Sequence, residues 1–140
     1  MTINLPLLHV AVAFAWIGLV AGETVLELNA RDPAGHRLIA KIHGWIDIVF
    51  EIPLLILVTI TGAVLLTRVW PAPTILLVKV GCALTGVVVN VVCIFIVRAR
   101  IHATSDEQVQ ALSRRVLLTG LAIPFGLVAV VIGLFYLGPQ

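Results

Sequence analysis

The chain has 140 residues, 61% of them hydrophobic and 11% charged, with a mean hydropathy of +1.16; a water-soluble domain of ordinary composition is excluded. Nine Lys and Arg against seven Asp and Glu leave a formal charge of +2, which is too small and too scattered to imply a nucleic-acid partner. Long apolar runs with few charges between them require the lipid bilayer as solvent.

Stretches of roughly 20 apolar residues, the length that crosses the hydrocarbon core, occur four times: Leu5–Leu28, His43–Thr67, Pro73–Val97 and Arg115–Leu137. The expected architecture is therefore an all-α, four-helix transmembrane bundle running up-down-up-down as a single domain over residues 1–140. A membrane barrel would need at least about eight strands with alternating polarity, a pattern absent here. The connections are Asn29–Ile42, a short Arg68–Ala72 turn and the polar Arg98–Arg114 segment. No basic region precedes the first span and no small-residue cleavage site follows it, so it reads as a retained helix. Pro53 interrupts the second span and Pro124 the fourth, each predicting a kink. Glycines at 62, 81, 86, 120 and 126 would allow close helix approach.

Basic residues set the expected orientation. Arg31, Arg37 and Lys41 fall in the first connection and Arg98, Arg100, Arg114 and Arg115 in the third, against Arg68 and Lys79 on the other side. In a bacterial inner membrane both termini would face the periplasm. A homodimer is compatible with so narrow a bundle, but no residue pattern specifies one.

An ionisable residue at the bilayer centre costs at least about 2.5–3.5 kcal/mol, so each one is a functional candidate. Along the first span, steps of 100° place His9, Trp16, Glu23 and Glu27 within about 40° of one another. His43, Asp47 and Glu51 climb one side of the second span, and Lys79, Cys82, Gly86, Asn90 and Cys93 form a stripe on the third. Polar faces on three spans predict a bundle with a polar interior.

Depth divides these residues into two layers. Glu23, Glu27, His43 and Asp47 come level at the inner ends of the first two helices, with Asn90 approaching them and Glu51 somewhat deeper. His9, Lys79 and Thr61 form the other layer, nearer the outside. Four carboxylates so close cannot all stay ionised without a compensating cation. Carboxylate and imidazole ligands suit iron, manganese or zinc, and paired ligands from facing helices are how bundles build metal sites. Copper would be favoured only if Cys82 or Cys93 joined. The candidate metal ligands are thus Glu23, Glu27, His43, Asp47, Glu51 and, as a lesser or indirect one, Asn90. Glu23, Glu27 and His43 also suit an interfacial position, paired to Arg37, Lys41, Arg98 or Arg100, while Asp47 and Glu51 could form a structural ion pair or a protonated hydrogen bond. His36 and His102 fall in the loops and read as solvated.

The run His9-Val-Ala-Val-Ala-Phe-Ala-Trp16-Ile-Gly18 has the His-x6-Trp-x-Gly pattern that opens the first helix of HemJ-type protoporphyrinogen oxidases and of the related CopD-type copper-resistance membrane proteins. Pro53 to Gly62 resembles that superfamily's Pro…Gly second helix, Ile75-Leu-Leu-Val-Lys79 its lysine-bearing third, and Arg114-Arg115…Pro124 its fourth. The resemblance implies a four-helix membrane protein, with His9 matching a haem axial ligand and Lys79 a lysine needed for activity. It further implies b-type haem or porphyrin in the outer layer, with Trp16 as a flat neighbour.

Three functions follow as expectations. The leading one is a transition-metal site, of one or two ions, for redox chemistry or metal handling, with open coordination positions for oxygen or a quinone. The second is a proton or cation relay through the same carboxylates, with His9 and Lys79 at its far end. The third is a HemJ-like oxidase with haem on His9.

Overall fold

The computed structural model describes residues 4–137. It is helical throughout, with no strand among the described residues: α1 is Leu5–Asn29, α2 Pro33–Ile46, α3 Ile52–Arg68, α4 Thr74–Ile101, α5 Asp106–Thr119 and α6 Ile123–Leu137. A π-helical turn, Asp47–Glu51, joins α2 to α3, and a 3-10 turn, Gly120–Ala122, joins α5 to α6. Four helices are long and apolar enough to cross a membrane: Leu5–Asn29, Pro33–Arg68, Thr74–Ile101 and Asp106–Phe135.

Two predicted connections are largely helical. Residues 33–42 were expected in a loop, but Asp32 accepts the Gly35 amide at 2.6 Å and Pro33 takes the first helical position; this capped start needs no hydrophobic run. In the third connection α4 continues to Ile101. Ser105 then caps α5 by accepting the Gln108 amide, with Asp106 and Glu107 in the favourable first turn. His36 accordingly lies within α2 rather than in a loop, with its Nδ1 buried, and His102 closes α4 as an exposed cap residue.

Neither proline breaks its helix. A proline ring clashes with the carbonyl four residues back, and in both cases the preceding turn changes its winding to relieve this. Before Pro53 the turn widens, and the Ile52 amide donates to the Asp47 carbonyl, a bond spanning five residues. Before Pro124 it tightens into the 3-10 turn.

Consecutive long helices alternate in direction, since the end of α1 meets α2 and the end of α4, while the start of α1 meets α3 near residue 61. α1 packs on α3 and α6, α4 on α5 and α6, and α2 on α4 and α5. A buried apolar layer of Val12, Ala13, Trp16, Ile17, Leu55, Val58 and Val130 crosses the middle of the bundle. Gly86 and Gly126 make that layer dense. A Cβ on Gly86 would lie 3.3 Å from the Trp16 ring, and one on Gly126 would lie 3.3 Å from Ile17. The outer faces expose large apolar side chains such as Leu7, Phe95, Leu118 and Leu121, which suits a hydrocarbon solvent.

Candidate functional site

The acids of the first two long helices converge. Glu23, Glu27, His43, Asp47 and Glu51 are all at most 5% exposed. On an ideal α-helix a residue eight positions on has drifted about 80° from its stripe. The π-helical turn takes up this drift by winding more slowly between Asp47 and Glu51, so that both carboxyls face the same interior as His43.

Two parts of the cluster have different chemistry. In the first, Arg100 from α4, only 1% exposed, grips Glu27 in a bidentate pair: Nη1 donates to Oε2 at 2.6 Å and Nη2 to Oε1 at 2.5 Å. Nη1 also donates to Ser113 Oγ of α5 at 3.0 Å, and that hydroxyl donates to the Val109 carbonyl. His43 Nδ1 lies 3.0 Å from Glu27 Oε1. A carboxylate gripped by a guanidinium can only accept, so Nδ1 carries a proton and donates it to Glu27, while Nε2 is turned to the remaining acids.

In the second part, Nε2 faces further acids. Glu23 Oε2 lies 3.5 Å from Nε2 and Asp47 Oδ1 lies 3.7 Å from it. Glu23 Oε1 and both carboxyl oxygens of Asp47 and of Glu51 are buried without a hydrogen-bond partner among the described residues. One ligand atom from each of Glu23, His43, Asp47 and Glu51 fits within a mutual spacing of 4.8 Å. Carboxyls crowded together in a dry interior are costly unless a cation or shared protons lie among them. This group could hold a metal ion. A cavity of about 50 Å³ adjoins it, lined by Glu23, His43, Glu51, Asn90 and Cys93 among others; that is room for water or another small ligand.

The remaining candidates lie elsewhere. Glu27 is turned toward Arg100 and His43 and stands behind the group of four. Asn90 lines the cavity, but its Oδ1 accepts the Trp16 indole N–H at 2.6 Å. Cys93 also lines the cavity without belonging to the four, and Cys82 is a free, half-buried thiol. His9 Nδ1 lies 2.8 Å from Thr61 Oγ1, and Lys79 packs its stem over Gly133, where a Cβ would come within 3.1 Å. His9, Lys79 and Trp16 line a second cavity of about 580 Å³. The apolar layer of α1, α3 and α6 separates the two cavities, with Trp16 in the wall of both.

Of the partners expected in the interfacial alternative, Arg100 is the one that pairs with Glu27, but as a buried residue of α4, and Ser113 beside it was not anticipated. Ending the third span at Val97 put Arg100 in a loop, yet the buried stripe Gly86, Asn90, Cys93, Val97, Arg100 keeps the helical three- and four-residue spacing to its end. That spacing was the available signal. No protein family, curated protein or solved structure matches the chain.

The Arg100–Glu27 pair generates a stability prediction. Arg100→Met leaves the Glu27 charge buried with only His43 for company, and should cost about 3–5 kcal/mol. Adding Glu27→Leu should recover much of that loss. Denaturant titration in detergent micelles checks both, and equal losses in the single and double variants would contradict the pairing.

Proposed function

We propose that the chain is an integral membrane protein that holds one transition-metal ion on Glu23, His43, Asp47 and Glu51, for redox chemistry or metal handling. The observation that carries this reading is the meeting of five buried carboxyl oxygens without a hydrogen-bond partner around the Nε2 of His43. Glu27 then serves as the carboxylate behind a metal-binding histidine, fixing its tautomer and aim. Ligand atoms on one ion, with bonds of about 2.0–2.2 Å, lie at most about 4.4 Å apart. The mutual spacing of up to 4.8 Å is close to that limit, which opposite ligands reach, while a tetrahedral ion such as zinc would have to draw the four atoms to about 3.5 Å of one another. Three carboxylates beyond the Glu27–Arg100 pair give the site a charge of −3, which a trivalent ion, or a divalent ion with one proton, would balance. The donor set favours iron, manganese or zinc; with Cys93 outside the group, copper has less support. Such an ion supplies a Lewis acid or a one-electron couple next to a small cavity. The chain's own residues exclude bulk water from it and hold His43 in one orientation.

The relay reading has less support, because the apolar layer lies between the acids and the His9–Lys79 pair. In the bilayer, the basic ends of the helices favour both termini on the periplasmic side of a bacterial inner membrane. Arg100 is consumed by its ion pair, yet Arg31, Arg37, Lys41, Arg98, Arg114 and Arg115 still outnumber Arg68 and Lys79.

The HemJ-like reading remains as a second proposal, and one observation favours it. Thr61 holds His9 Nδ1 and leaves Nε2 free beside a large apolar cavity, the arrangement an axial ligand needs. No other histidine lines that cavity, so His9 would be the sole histidine ligand to the haem iron.

Elemental analysis of purified protein should find close to one metal per chain. His43→Ala and Glu51→Gln should each lose most of it, while Cys82→Ser should keep it; metal-free protein, or unchanged content in the variants, defeats the metal reading. Retention should fall as pH falls, because protons compete for the same ligand atoms. For orientation, a C-terminal alkaline phosphatase fusion should be active in bacteria and a green fluorescent protein fusion dark, with the opposite pattern reversing the assignment. The haem reading requires a Soret band that disappears in His9→Ala, and a colourless preparation removes it.

A further inference from the structure

The larger cavity carries a separate inference, independent of the metal reading. It runs beside α1 from Pro6 to Ile17, about 16 Å of helix, and is walled mainly by aliphatic side chains of α1, α3, α4 and α6. Its polarity is uneven. Arg68, Lys79 and His9 line its outer part, whereas Trp16, Ile17 and Val87 close its inner end. No Asp or Glu lines it, and neither Arg68 nor Lys79 makes a salt bridge among the described residues. Gly133 leaves room for the lysine stem, so the ammonium reaches the cavity wall from within the bundle.

We propose that this cleft binds a single-chain amphiphile with an anionic head, a long-chain carboxylate, whose head pairs with Lys79 and Arg68 and whose chain descends toward Trp16. Charge complementarity supports the head: two cations without acidic partners, one of them inside an apolar cleft, favour an anion that arrives with its own hydrocarbon. Size supports the single chain. A volume of about 580 Å³ lies within the about 300–1,000 Å³ of small-molecule sites, and a two-chain phospholipid would overfill it. Direction supports both, since an amphiphile lying along a bilayer leaflet has its head toward the interface and its tail toward the midplane, as the cleft does.

The test uses the full chain purified in a neutral detergent, with binding read by native mass spectrometry and by competition. Oleate should saturate at one per chain and bind at least about tenfold more tightly than oleyl alcohol, which shares its chain but lacks the charge. Lys79→Gln should erase that preference and Lys79→Arg should keep it. Ala83→Phe, which fills the cleft, should weaken oleate and oleyl alcohol alike. Unchanged helicity by circular dichroism in each variant separates these effects from misfolding; a variant that loses helicity is replaced by Arg68→Gln, read in the same way. Equal affinity for oleate and its alcohol, an undiminished preference in Lys79→Gln, or oleoyl lysophosphatidate outcompeting oleate tenfold would each overturn the assignment. A Soret band in the purified protein would do so as well, since a porphyrin would then fill the cleft.

Discussion

Acid groups withdrawn from water set the terms for one end of this molecule. An isolated carboxylate in an apolar interior is expensive, and three of them around one imidazole are more so. The fold answers for one acid by itself: Glu27 receives both arms of Arg100, and through it the imidazole of His43 is oriented. Glu23 and Asp47 meet only the far nitrogen of His43, at 3.5 and 3.7 Å, and neither oxygen of Glu51 has a hydrogen-bond partner among the described residues. That imbalance, on helices whose other positions are almost uniformly apolar, argues for a guest cation more strongly than any one residue type.

The ionic pair also organises the packing around the centre. Arg100 belongs to α4, Glu27 to α1, His43 to α2 and Ser113 to α5, so one hydrogen-bonded chain ties four helices at a common height. Nearby, Arg37 of α2 binds both the Ala103 carbonyl and Asp106, closing the same end of the bundle across its last turn. The opposite end is looser. There α3 stands away from α4 and α6, and the space between them is the large cleft.

Much of this was legible in the chain alone. Hydropathy located four apolar helices, and the 100° periodicity put Glu23 and Glu27 on one face and His43 and Asp47 on another, as their convergence bears out. Hydropathy also misled, because it reports where a helix meets hydrocarbon, not where its hydrogen bonding stops; hence the missed helical turns at Pro33 and near Arg100. The partners of polar residues were less accessible. Nothing local distinguishes an asparagine that ligates an ion from one that accepts a tryptophan N–H, and Asn90 does the second. Glu27 and Glu23 differ in role only because an arginine 73 positions after Glu27 returns beside it.

The wide turn at Asp47–Glu51 reaches farther than the acids it aligns. It amounts to one surplus residue in an otherwise continuous rod from Pro33 to Arg68, and a surplus residue offsets the angular setting of everything beyond it by about 100°. Thr61, ten residues past Glu51, meets His9 only with that offset in place. Rewinding the turn as ordinary α-helix with every residue kept would therefore swing the hydroxyl away from the imidazole at the far end, so the two chambers of the molecule inherit their alignment from the same irregularity.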